Sequence, residues 1–176
     1  MILISAGHYP EKPGACYKGF CEFDEANRWV DEIIKYLPED VALKVPPNTL
    51  KHKVAFINAR NPTIAVEIHF NAAVDSTGKN VGSGALCLHY PDSVSGFKYA
   101  SEIHKPLVDL FGSHWDGVME GYYRMNKKFG VDFFLAKTKC PAVIVEPEFI
   151  HRKEKIIENR AEACKRIAHT LGELVK

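Results

Sequence analysis

Residues 141–146 read PAVIVE, residues 63–69 read TIAVEIH, and residues 2–8 read ILISAGH; each is an almost unbroken apolar run that finishes on an ionisable side chain. A strand with one wet face alternates apolar and polar residues, so runs that do not alternate belong to strands covered on both faces. Strands of that kind build a largely parallel sheet with helices packed above and below it. The terminal residues His8, His69 and Glu146 then need partners, because an ionisable group at the end of an apolar strand is costly without one.

Helical spacing fills the intervals. Ala26, Val30, Ile33, Ile34 and Leu37 predict a helix over about 24–37, with Glu22, Asp24 and Glu25 near its start, where the helix dipole favours anions, and Pro38 at its end. VALKV (41–45) reads as a strand, and a less regular helix over roughly 49–60 follows Pro46-Pro47. SGALCLHY (83–90) is a further strand. Phe97, Ala100, Ile103, Leu107 and Leu110 predict a helix that Pro106 should kink or split. Residues 112–130 show no clear period, FFLA (133–136) reads as a short strand, and Ile157, Ala161, Cys164, Ile167, Leu171 and Leu174 mark a C-terminal amphipathic helix. The expectation is one α/β domain over residues 1–176, with a twisted, mostly parallel sheet, helices on both faces and no linker to a second module.

Composition narrows the function classes. A net charge of +1, from 23 Lys and Arg against 22 Asp and Glu, creates no overall pull toward nucleic acid or anionic membrane. No apolar stretch reaches the roughly 18 residues that a membrane span needs, and MILISAGHYP lacks a basic region and a signal-like core, so synthesis in the cytoplasm is expected. Five cysteines, an odd number without CxxC spacing, read as reduced thiols, mostly small core fillers.

In open α/β sheets, ligands bind outside the carboxyl ends of the strands. If the three runs lie parallel, His8, His69 and Glu146 share one edge. Two imidazoles and a carboxylate are the donors of a catalytic zinc site, which keeps its fourth position for water and needs a further carboxylate as base. Glu22, after the Pro- and Gly-rich loop 10–20, can complete the metal shell and leave Glu146 as the base. HExxH is absent, which excludes a thermolysin-type helix. Taken singly, His8 reads as a turn residue and Glu22 as a dipole-favoured acid; the four together favour a site.

At these residues the chain resembles a known family. ISAGHYPEKPGA, GFCEFD, EIHFNA and CPAVIVEPEF are similar, in order and spacing, to the zinc-dependent N-acetylmuramoyl-L-alanine amidases of the amidase-3 family, found in bacterial autolysins and phage endolysins. The resemblance runs from Ile2 to the final helix. It implies a single Zn²⁺ held by His8, Glu22 and His69, with Glu146 as the catalytic base. It also implies hydrolysis of the amide between N-acetylmuramic acid and L-alanine in peptidoglycan. Two positions depart from the pattern: Glu148 replaces a Gly beside the base, and Glu67 stands where a Ser commonly precedes the Ile-His pair. With Asn71, these are candidates for substrate contact or support of the ligands. Glu25 is a fallback ligand if the loop register differs.

A zinc metallopeptidase or carboxypeptidase acting within the stem peptide needs the same atoms and stays open, as does a catalytically silent wall-binding module, although Glu146 speaks against the latter. The chain suits a compact endolysin, monomeric, without a separate wall-binding domain, accumulating in the host cytoplasm before it acts on the wall; a cytoplasmic or mother-cell bacterial amidase, or a catalytic domain of a longer protein, would read the same. Cys16 and Cys21 flank the loop before Glu22. His89, His104, His114, His151 and His169 lack motif context and read as surface or helix-face residues. Tyr122, Tyr123 and Arg124 are weak candidates for a substrate groove.

Overall fold

The computed structural model describes residues 1–123 and 126–176. Arg124, one of the groove candidates, lies outside the described residues. The chain runs β1 (Ile2–Ala6), β2 (Cys16–Tyr17), β3 (Phe20–Cys21), α1 (Glu22–Lys35), β4 (Ala42–Lys44), α2 (Leu50–Arg60), β5 (Ile64–Ile68), β6 (Ala85–His89), α3 (Val94–Phe111), β7 (Ser113–Glu120), α4 (Phe133–Lys137), β8 (Ala142–Glu146) and α5 (Lys153–Leu174). The main sheet has the order β4-β1-β5-β8-β6-β7. Every neighbouring pair in it is parallel except β8 with β6. This is the expected α/β architecture, with its apolar runs at the centre.

Strand alternation divides the core into two layers. Ile2, Ile4, Ile64, Val66, Ile68, Val143 and Val145 pack with α1, α3 and α5 around the buried Trp29. On the opposite face Leu3, Ala65, Leu86, Leu88 and Ile144 pack with Val54 and Ile57 of α2 and Phe134 and Leu135 of α4. Two short helices leave that second face less completely covered than three long ones leave the first.

Four local expectations change. FFLA is helical, because the Asp132 side chain accepts from the Phe134 N–H at 2.8 Å and so caps a helix start. α3 passes through Pro106 as one helix, packed along its length against β6, β8 and α5. Residues 113–120 form β7, an edge strand paired with β6. The loop before α1 contains the β2–β3 hairpin, whose pairing sets Cys16 opposite Cys21 with Cα atoms 4.1 Å apart, and the two form a disulfide. They are therefore not the reduced thiols expected; Cys87, Cys140 and Cys164 are free.

Glu25 is buried inside the α1–α5 contact. It accepts from Trp29 Nε1 at 3.1 Å, from Arg160 at 2.8 and 3.1 Å, and from Arg28 at 3.1 Å. It is a structural acid that ties the first helix to the last. Removing one partner of a buried ion pair strands the other charge. Arg160→Met should therefore lower stability by about 3 kcal/mol, the low end of the usual range because Arg28 remains. Urea denaturation checks this; a loss below about 0.5 kcal/mol, the size of an ordinary surface substitution, contradicts the assignment.

Candidate active site

β1, β5 and β8 are adjacent and parallel, with Ala6 beside Ile68 and Ile68 beside Val145. Their carboxyl ends are stitched together: the Gly7 N–H donates to Ile68 O at 2.7 Å and the His69 N–H to Val145 O at 2.8 Å. That register delivers His8, His69 and Glu146 to one edge. By the period of two, Glu67, His69 and Glu146 project toward the incompletely covered α2/α4 face.

Glu22, the first residue of α1, joins the two histidines. Its Oε2 lies 3.0 Å from His8 Nε2 and its Oε1 lies 2.8 Å from His69 Nδ1. The backbone N–H groups of Ala15 and Phe70 donate to the same carboxylate at 3.1 and 3.3 Å. The ligand atoms offered by His8, Glu22 and His69 all lie within 4.8 Å of one another. Two glycines make room for this cluster. A Cβ on Gly7 would sit 2.4 Å from the His69 ring, and one on Gly14, where φ is +77°, would sit 2.5 Å from both Glu22 Oε2 and the His8 ring. The second ring nitrogen of His69, Nε2, meets Glu67 Oε2 at 3.0 Å.

Electrostatics separates the acids. Burial drives the Glu22 carboxyl upward, but hydrogen bonds and charge from His69 and His8 outweigh it and hold the group well below the usual carboxylate range. Burial likewise opposes charge on Glu67, and Lys53 and His69 bring it down. His69 is pulled down by burial and raised further by Glu22 and Glu67, to a net value well above that of a free imidazole. Glu146 goes the other way. Burial, with added repulsion from Glu22 and Asp132, pushes it up to about 7. A carboxyl that changes protonation near neutrality beside a cluster of imidazoles is suited to moving a proton.

The remaining candidates divide. Asn71 borders the cavity, yet its side-chain oxygen accepts from the Ala72 N–H at 2.8 Å, the bond of a strand-end turn. Glu148 is buried away from the cavity: it accepts from the N–H groups of Gly84 and Phe149 at 2.8 and 2.9 Å and pairs with Arg152 at 3.2 Å. The structure therefore does not bring Glu148 to Glu146, nor Glu25 to the cluster of His8, Glu22 and His69. Cys16 and Cys21, bonded to each other, have no thiol to offer.

The cavity over the cluster measures about 850 Å³ and extends along the α2/α4 face to Tyr122, Tyr123 and Asp132. His114 and Trp115 also line it. β7 runs parallel to β6 and so begins at the same edge as the site; His114 packs against Phe149 with ring centroids 4.8 Å apart and meets Ser83 O at 3.1 Å. Reading His114 as a bland surface residue missed it, because residues 112–130 have no clear period. Asp132 was missed as well, although an Asp just before an apolar helical stretch is itself a start signal.

Fold and site together define an α/β protein with a His-His-Glu cluster and a separate carboxyl of raised pKa at the carboxyl edge of its sheet. Residues 2–169 match the family model Amidase_3, N-acetylmuramoyl-L-alanine amidase, and the chain belongs to that family. Its activity is that of an N-acetylmuramoyl-L-alanine amidase. Comparison with curated proteins finds no match. Among solved structures, the fold is similar to the N-acetylmuramoyl-L-alanine amidase from Clostridium difficile 630, with a TM-score of 0.78 and 18% identity over 99% of this chain and 93% of that one. It is similar to AmiC2 of Nostoc punctiforme, with a TM-score of 0.79 and 18% identity over 99% and 96%. It also resembles the catalytic domain of the CD27L endolysin targeting Clostridia Difficile, with a TM-score of 0.73 and 20% identity over 97% and 95%.

The raised Glu146 value has a consequence for stability in metal-free protein. Between 4.5, the ordinary carboxyl value, and about 7, folded Glu146 keeps a proton that the unfolded chain has released, so its contribution falls as pH rises through that window. Glu146→Gln removes this loss. The urea midpoint of the variant, relative to the parent, should rise between pH 5 and pH 7.5; a constant difference across that range contradicts the assignment.

Proposed function

We propose that this amidase is zinc-dependent, that a single ion is held by His8, Glu22 and His69, and that Glu146 is the base for hydrolysis of the amide between N-acetylmuramic acid and L-alanine. The observation that supports this most is the convergence of three metal-type donors within 4.8 Å, with Glu146 one strand away on the same edge. The donor set fits zinc, which takes imidazole nitrogen and carboxylate oxygen in a tetrahedral arrangement. When bound, zinc supplies a Lewis acid for the scissile carbonyl and brings the acidity of water toward neutral pH.

The remaining chemistry belongs to side chains. A Glu146 carboxylate oxygen accepts the proton of the attacking water and later returns it to the departing alanine amine, from its place one strand away on the same edge. Glu67 accepts from Nε2 of His69 and leaves Nδ1 turned to Glu22, which selects the tautomer a metal requires. The cavity walls, with Trp115 and Tyr122 among them, receive the sugar and stem peptide.

Among the described residues no helix is long and apolar enough to cross a membrane. We further propose the endolysin role: a monomeric catalytic domain that digests peptidoglycan from a pool made in the host cytoplasm. The fold it shares with the CD27L catalytic domain supports that reading.

Purified muropeptides identify the bond. Mass spectrometry should find a free lactyl carboxylate on muramic acid and a free alanine amine; new termini inside the stem peptide would instead mark a peptidase. Removal of metal by a chelator should abolish turnover, and zinc should restore it. Glu146→Ala should retain zinc and lose about 10²–10⁴-fold in turnover, the usual worth of general acid–base catalysis. His69→Ala should lose both metal and activity, whereas Glu25→Gln should keep both; metal analysis beside a wall-lysis assay separates the three.

A further inference from the structure

α2 has an unusual inhabitant for a helix face turned to the core. Lys53 is 1% exposed, and its side chain reaches residues at the carboxyl ends of β1 and β5. Its ammonium donates to Ala6 O at 2.6 Å, to His8 O at 3.2 Å and to Glu67 Oε1. A lysine has three N–H donors, so this group is fully used. Ser5 Oγ adds a contact to the same Glu67 oxygen at 3.3 Å, and the other Glu67 oxygen holds His69 Nε2.

Each of these acceptors bears on a proposed metal ligand. Ala6 O and His8 O bracket the Gly7-His8 segment, and His8 itself has φ of +61°, a left-handed conformation uncommon for a residue with a side chain. Such a backbone persists only when its surroundings hold it. Glu67 sets the orientation of His69. One buried cation therefore grips the backbone of the first histidine and, through one carboxylate, the ring of the second.

We propose that Lys53 is a positioning residue of the metal centre, fixing His8 through its carbonyl and His69 through Glu67 before any metal arrives. The inference rests on the zinc reading above. Support of this kind around ligands is worth roughly 10–100-fold in metal affinity. A lysine that served only to neutralise Glu67 would affect stability and leave affinity alone, and two variants separate those roles. Lys53→Met leaves the Glu67 charge buried and unpaired. Lys53→Met/Glu67→Gln removes both charges but keeps a side-chain oxygen to accept from His69 Nε2, so the affinity it loses belongs to the lysine's grip on Ala6 O and His8 O.

The experiment measures zinc affinity by competition with a chromophoric chelator, alongside the Tm of the metal-free protein, for wild type and both variants. The expected result is wild-type zinc binding, a 10–100-fold weaker affinity in Lys53→Met, and in the double variant a recovered Tm with affinity still reduced by a similar factor. If the single variant does not fold, the double variant carries the test. Wild-type affinity within about twofold in the double variant overturns the positioning role while leaving the zinc reading intact. A wild-type protein that takes up no zinc overturns the zinc reading, and this inference with it.

Discussion

Glu22 brings a negative charge into the interior, and the surrounding chain is built to keep it there. Its two oxygens accept from two imidazoles and two backbone N–H groups, drawn from the end of β1, the loop 10–20 and the end of β5. No single segment supplies enough compensation for a buried carboxylate. The charge is stable only when all three segments are in place, so the site and the local fold are one structure. The glycines at 7 and 14 and the β2–β3 hairpin follow from that demand. The hairpin ends at Cys21, directly before Glu22, and its disulfide closes the strand pair that delivers the carboxylate.

Four acids near one edge have four different fates, set by their neighbours. Glu22 is kept ionised by imidazoles; Glu67 is kept ionised by a lysine; Glu146, with no cation bonded to it among the described residues, is driven toward the neutral form. Glu148, two residues further on, has turned away to bind the N–H groups of Gly84 and Phe149. It secures the far end of the connection between β5 and β6. The departure of Glu148 from the family pattern therefore leads to a structural role, whereas that of Glu67 leads to the ring of His69.

Much of this was legible because it depends on period and order alone. Unbroken apolar runs require two covered faces, so the parallel centre of the sheet, and with it the meeting of His8, His69 and Glu146, could be read directly. What was hidden depends on contacts distant in sequence or on geometry that periodicity does not encode. Lys53 sits on a helix of weak pattern and gains its meaning from carbonyls 45 and 47 residues away. The Cys16–Cys21 bond arises from hairpin pairing, not from any spacing motif. His114 reaches the cavity because β7 is parallel to β6, a pairing that residues 112–130 do not announce.

The single antiparallel step in the sheet, between β8 and β6, has a further consequence. Because β6 runs against its neighbour, the chain that leaves β5 at the site re-enters the sheet at the same edge, and residues 69–84 never have to cross to the far side. They form one wall of the cavity and are anchored at both ends, by His69 at one and by the Gly84–Glu148 bond at the other. A connection of that kind can lengthen or shorten without rethreading any strand, and doubling a flexible loop costs only about 0.6 kcal/mol. The opening of the cavity is thus the part of this architecture freest to diversify, while the atoms beneath it stay where the parallel strands put them.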